Sequence, residues 1–133
     1  METAGRTCWR SMSTTTPSAC CWGISILLGN GNGTFHAPLT VATLHGADAI
    51  AVADMNGDGK PDLVFASDYH TVNVMLGNGN GTFQSERMFL SGLPVGAAVA
   101  DFNGDSKLDV VAVNEEQPLS VLLGKGDGTL QPQ

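Results

Sequence analysis

The sequence predicts an all-β fold, a partial β-propeller of about two to three four-stranded antiparallel blades of 47–48 residues. Three observations carry that expectation. The segment Ile24–Phe35 (ISILLGNGNGTF) returns as Val72–Phe83 (VNVMLGNGNGTF) and as Leu119–Leu130 (LSVLLGKGDGTL), at spacings of 48 and 47. A second element, Ala51–Ala66 (AVADMNGDGKPDLVFA), returns 47 residues later as Ala98–Val113 (AVADFNGDSKLDVVAV). Composition agrees, because 17 Gly in 133 residues disfavour helix while 42% hydrophobic and only 14% charged residues are too apolar for a disordered chain. Periods of roughly 40–50 residues with several strands per unit indicate propeller blades rather than helical solenoids.

Taken in order, residues 1–23 stand apart. Cys8, Cys20, Cys21, Trp9 and Trp22 all fall there, and neither residue type occurs after Gly23. Arg6 and Arg10 ahead of Ala19–Trp22 hint at a signal peptide or a thiol site. Gly23 and Ser25 interrupt the apolar stretch, however, Pro17 sits where a lipoprotein cleavage motif wants an aliphatic residue, and adjacent cysteines rarely share one metal or one bridge. A permitted back-translation of Met1–Gly23, read one base earlier, encodes NGDGRTDLLAVNVNDNTVSVLLG, which parallels the in-frame run from Asn56 to Gly77. Residues 1–23 are therefore expected to be a non-native, out-of-frame segment, and residues 24–133 the repeats.

Within the repeats, short β-rich runs alternate with turn residues, four to a unit. In the second unit they fall near Gln84–Leu90, Gly96–Ala100, Leu108–Val113 and Leu119–Leu123. Ala49–Ala53 and Leu63–Ala66 are almost wholly apolar or small, as expected of strands covered on both faces. The Gly77–Thr82 segment and its two partners read as tight reversals. They lack the GxxxxGK[ST] pattern and the following helix of a phosphate cradle.

The chemistry lies in two loops, 54–62 and 101–109. Asp54, Asn56, Asp58 and Asp62 place oxygens at relative positions 1, 3, 5 and 9, with the main-chain carbonyl of Lys60 at position 7. Asp101, Asn103, Asp105, Lys107 and Asp109 repeat the pattern. These are the first nine positions of an EF-hand calcium loop, whose oxygens suit a hard cation. Position 12, where an EF-hand carries a bidentate Glu, is Phe65 or Ala112, and the flanks read as strands. Carboxylates packed this closely repel one another, so the loop is expected to require a positive charge. Ser106 stands where the first loop has Gly59 and must adopt a left-handed conformation, at about 1–2 kcal/mol, if the geometry is kept.

These residues resemble the FG-GAP/VCBS repeat family, the blades of integrin-alpha-like β-propellers. The family pattern of a DxNGDG-type loop, a strand and an SVLLGNGDGTF-type segment is matched by nearly all of Ile24–Gln133. The resemblance implies four strands per blade, with calcium in the loop between the first two. Carried over residue by residue, it assigns that role to Asp54, Asn56, Asp58, Lys60 (main chain) and Asp62, and to Asp101, Asn103, Asp105, Lys107 and Asp109. Ser106 for Gly, and Leu130 for the usual Phe, depart from the pattern.

A net charge of −7 excludes nucleic acid and anionic membrane surfaces as natural partners. No apolar run approaches the roughly 18 residues of a membrane span. His36, His45 and His70 occupy unrelated repeat positions, so no catalytic triad or zinc site is indicated, and no enzymatic role is expected. The expectation is a calcium-binding (Ca2+) propeller fragment of a secreted or cell-surface protein, serving as a protein-binding or adhesion scaffold. Its exposed blade edges are expected to favour self-association. The alternatives are a lectin-like, carbohydrate-binding propeller, for which only Tyr69, beside Asp68 and His70, offers an aromatic platform, or a non-catalytic accessory part of a larger extracellular enzyme.

Overall fold

The computed structural model describes residues 5–6, 22–43, 46–115 and 118–131, and the described residues contain strands and turns but no helix. The expected out-of-frame segment, with Cys8, Trp9, Cys20 and Cys21, lies almost wholly outside them, as does His45. Ten strands follow in order: β1 (Gly5–Arg6), β2 (Trp22–Ile26), β3 (Leu39–Thr43), β4 (Ala47–Ala53), β5 (Asp62–Ser67), β6 (Thr71–Met75), β7 (Arg87–Leu90), β8 (Pro94–Ala100), β9 (Asp109–Asn114) and β10 (Ser120–Leu122).

They form three antiparallel sheets, ordered β1-β2-β3, β4-β5-β6-β7 and β8-β9-β10. The middle one is a complete four-stranded blade, and each carboxylate loop joins the first two strands of its sheet. The structure regroups the strands of the second repeat unit. Arg87–Leu90, within the expected run Gln84–Leu90, pairs with β6 and closes the preceding sheet instead of opening its own. A strand joins the edge whose hydrogen-bonding groups it meets, whatever period its sequence follows. The turns repeat with the sequence: Asn78 N donates to Thr82 O at 2.9 Å and Gln84 N to Leu76 O at 2.8 Å, with matching bonds in the turns at 30–36 and 125–131.

Two apolar layers separate the three sheets. Ile24 and Ile26 meet Leu63, Phe65 and Met75 in one. In the other, Met55, Val64, Val72, Val74 and Leu76 meet Val110, Ala112, Leu122 and Leu130. Every residue of β5 and β6 is buried, because these central strands are covered on both faces. The expectation for Leu63–Ala66 therefore holds. Ala49–Ala53 differs: β4 is an edge strand, its residues are only half-buried, and Val52 is exposed.

One buried polar group is at odds with its surroundings. Asn73 on β6 is fully buried, yet neither its amide nitrogen nor its side-chain oxygen has a hydrogen-bond partner. A buried amide without partners costs of order 1–3 kcal/mol, so an apolar isostere removes a penalty instead of an interaction. Asn73→Val is expected to raise unfolding stability by about 1 kcal/mol or more, seen as a higher urea midpoint at an unchanged m-value.

Candidate metal centre

Each carboxylate loop is built as a series of side chains that cap backbone amides. In the first, Asp58 N lies 3.1 Å from both Asp54 Oδ1 and Asn56 Oδ1, and Gly59 N donates to Asp54 Oδ2 at 2.8 Å. Lys60 N then donates to Asp58 Oδ1 at 2.9 Å. The short Asn56 and Asp58 side chains bond amides two residues on, and because the loop curls back on itself Asp54 reaches amides four and five residues on, so that Asp54 and Asn56 meet at the same amide.

The second loop reproduces the set. Asp105 N donates to Asp101 Oδ1 at 3.2 Å and to Asn103 Oδ1 at 2.9 Å, Ser106 N to Asp101 Oδ2 at 2.8 Å, and Lys107 N to Asp105 Oδ1 at 2.9 Å. Ser106 takes φ 65°, the left-handed conformation that its alignment with Gly59 (φ 77°) demands. The geometry is kept, and the strain is accepted.

Asp62 and Asp109 behave differently from the other loop carboxylates. Both are fully buried at the first position of the second strand of their sheets. Asp62 Oδ2 accepts from Met55 N and Oδ1 from Gly77 N, both at 2.8 Å, and Asp109 accepts from Phe102 N at 3.0 Å and Gly124 N at 2.8 Å. Each carboxylate thus ties its loop to the end of the third strand. The approach is so close that a Cβ on Gly77 would lie 2.1 Å from Pro61 O, and one on Gly124 2.0 Å from Leu108 O. Sequence spacing places Asp62 in the loop set; its second partner, 15 residues on, is visible only once β6 is in place.

The lysine side chains also take part in the loops. Lys60 Nζ lies 3.1 Å from Asp58 Oδ2, and Lys107 Nζ 3.6 Å from Asp105 Oδ2. Part of the charge expected of a cation therefore comes from within the loop. The Asp58 carboxyl is held below its ordinary value by the Lys60 amide first and its ammonium second; the Lys107 amide does the same for Asp105. The pairs are exposed and screened, so they steer the loop more than they stabilise it.

The donor set suits a hard cation. Every candidate side chain offers oxygen, and a carboxylate bound to two amides keeps about half its lone-pair capacity. Among the described residues, however, no group of three or more His, Cys, Asp or Glu side chains is already gathered around one point. Asp54 and Asn56 meet at the Asp58 amide, the Asp58 carboxylate turns to Lys60, and Asp62 is buried. Tyr69, the one aromatic considered for a sugar platform, is exposed at the β5–β6 turn beside Asp68 and His70. Among the described residues no helix is long and apolar enough to cross a membrane.

Comparison with known proteins gives one finding. The FG-GAP-like repeat matches the chain twice, over residues 18–65 and 54–112. No curated protein and no solved structure matches.

Two outcomes follow for the loops. Asp62→Ala leaves two buried amides without acceptors and is expected to cost about 3 kcal/mol or more by urea denaturation, a far larger loss than that of the exposed Asp58→Ala. A lowered carboxyl pKa means the Asp58 contribution is complete above the ordinary value of 3.8 and lost as pH falls through the lower folded value. Carbon-detected NMR titration is expected to place the Asp58 and Asp105 midpoints below 3.8.

Proposed function

The chain belongs to the FG-GAP-like repeat family of integrin-like β-propeller domains, and from that premise we propose that it is a calcium-stabilised binding scaffold with no catalytic role. The observation that supports this most is the doubly built loop: two nine-residue segments 47 apart adopt the same hydrogen-bond pattern around all-oxygen donors. Asp54, Asn56, Asp58 and the Lys60 carbonyl would hold the ion in the first loop with the remaining lone pairs of Asp62, and Asp101, Asn103, Asp105, Lys107 and Asp109 in the second. Bound calcium would supply charge and rigidity there, not chemistry.

What supports the scaffold reading is where the loops sit. Each joins the first two strands of a sheet and is fastened to the third through Asp62 or Asp109. Ion binding would therefore stiffen a whole sheet, which is the service a binding surface needs. Extracellular modules of this kind hold calcium at about 10⁻⁴–10⁻³ M, a range filled outside cells and empty in the cytosol. A secreted or cell-surface location, with a protein or glycan as ligand, is the setting in which such loops would be occupied.

Isothermal titration with calcium in the absence of other divalent ions is expected to give two sites, with loss of the first in Asp58→Ala and of the second in Asp105→Ala. Ser106→Gly is expected to raise the urea midpoint more than it changes the affinity of the second site, because Ser106 already holds φ 65° in the loop and its strain is common to the free and bound protein. A titration unaffected by Asp58→Ala would overturn the reading.

A further inference from the structure

Six asparagines are followed directly by glycine: Asn30, Asn32, Asn56, Asn78, Asn80 and Asn103. In each pair the glycine amide nitrogen can close a five-membered ring on the asparagine side-chain carbon Cγ, and glycine has no side chain to obstruct the closure. The six share that chemistry and differ in what holds the asparagine.

In the glycine turns one threonine serves two asparagines in opposite ways. Asn78 Nδ2 donates to Thr82 Oγ1 at 2.8 Å, whereas Asn80 Oδ1 accepts from Thr82 Oγ1 at 2.6 Å and from Thr82 N at 3.0 Å. The turn at 30–36 repeats the arrangement at the same distances, with Asn30 Nδ2 donating to Thr34 Oγ1 and Asn32 Oδ1 accepting from Thr34 Oγ1 and Thr34 N. In the carboxylate loops Asn56 Oδ1 accepts from the Asp58 amide at 3.1 Å and Asn103 Oδ1 from the Asp105 amide at 2.9 Å, and Gly104 N is itself held by Asp101 Oδ1 at 2.7 Å.

Two donors on one carbonyl oxygen draw electron density from its carbon and lie where negative charge collects when a nucleophile adds; the relay that starts at Asn78 Nδ2 strengthens the hydroxyl as a donor. The turn at 125–131 shows that this seat suits an anion. Asp127 stands there in the place of Asn80, its Oδ1 accepts from Thr129 Oγ1 at 2.5 Å and Thr129 N at 2.9 Å, and its carboxyl is held below the ordinary value by the Thr129 hydroxyl first and the Thr129 amide second.

We propose that Asn80, and Asn32 by the same geometry, are sites of self-deamidation at which Thr82 and Thr34 furnish the oxyanion hole. Gly81 N forms a bond to Asn80 Cγ and gives up its proton, and the charge collects on Oδ1 between the two Thr82 donors. The Cγ–Nδ2 bond then breaks, and ammonia leaves with that proton. Water opens the resulting succinimide at either carbonyl to give aspartate or isoaspartate, and the aspartate product is the residue that the turn at 125–131 already carries. Each event adds one negative charge to its turn, and none depends on ion binding in the carboxylate loops.

Ageing the full chain at neutral pH and mapping deamidation by tandem mass spectrometry tests this. Asn78 and Asn80 both lie in Gly-Asn-Gly, as do Asn30 and Asn32, so each pair is matched in local sequence. Asn80 and Asn32 are expected to react several-fold faster than their partners in the folded chain and at the same rate as them in urea. Thr82→Val is expected to slow Asn80 by about tenfold, with Thr82→Ser restoring the rate and Asn32 in the same chain unchanged. The sign separates this from a structural role, because a threonine that merely stiffened the turn would protect Asn80, and its loss would speed the reaction. Asn78 reacting as fast as Asn80, a rate order that persists in urea, or an Asn80 rate that Thr82→Val leaves unchanged or raises overturns the proposal.

Discussion

The buried carboxylate at the start of the second strand organises each blade. Asp62 and Asp109 each accept two backbone amides from segments far apart in the chain, one in the loop before the strand and one after the third strand. Charge-assisted bonds to amides in a dry setting are strong, and they replace water that burial has removed. The bond to the second amide draws Gly77 onto Pro61 O and Gly124 onto Leu108 O, leaving no room for a side chain. Loop, strand order and turn position therefore depend on one another through a single group.

From that fastening the blade-to-blade packing follows. Once the third strand ends in a fixed place, the glycine turn after it projects toward the preceding sheet, and Gly128 lands on Leu76 and Met55 O. The layer formed by Met55, Val64, Val72 and Val74 against Val110, Ala112 and Leu122 is the apolar counterpart of that contact. Stability of such an array is close to a sum over neighbouring interfaces, so the same residue types are core in one repeat and surface in the next. Met55 and Phe102 show this directly: they occupy the same repeat position and differ in whether a neighbouring sheet is present.

Much of the candidate site was legible in the sequence, because Asx-rich loops are local objects. The alternation of Asp54, Asn56 and Asp58 is enough to predict oxygens converging on one short segment, and the alignment of Ser106 with Gly59 is enough to predict its positive φ. Two features were not legible. The Lys60 and Lys107 ammonium groups fold back on Asp58 and Asp105, which depends on rotamers that spacing does not specify. The turning of the Asp62 carboxylate toward Gly77 needs a partner 15 residues away. The unpartnered Asn73 was equally hidden, since strand alternation says which residues share a face and not what lies across from them.

The sequence by itself determined the repeat length, the all-β class, the position of every glycine turn and the oxygen pattern of both loops. All of these follow from short-range rules: period-2 burial, positive-φ residues at reversals and short polar stems that reach nearby amides. Tertiary structure alone decided that Arg87–Leu90 closes the preceding sheet and that Val52 is exposed on an edge while Leu63–Ala66 is covered. The reason is that a strand's partner and a face's cover are supplied by chain distant in sequence, and a local pattern repeated three times is the same whether or not a neighbour arrives.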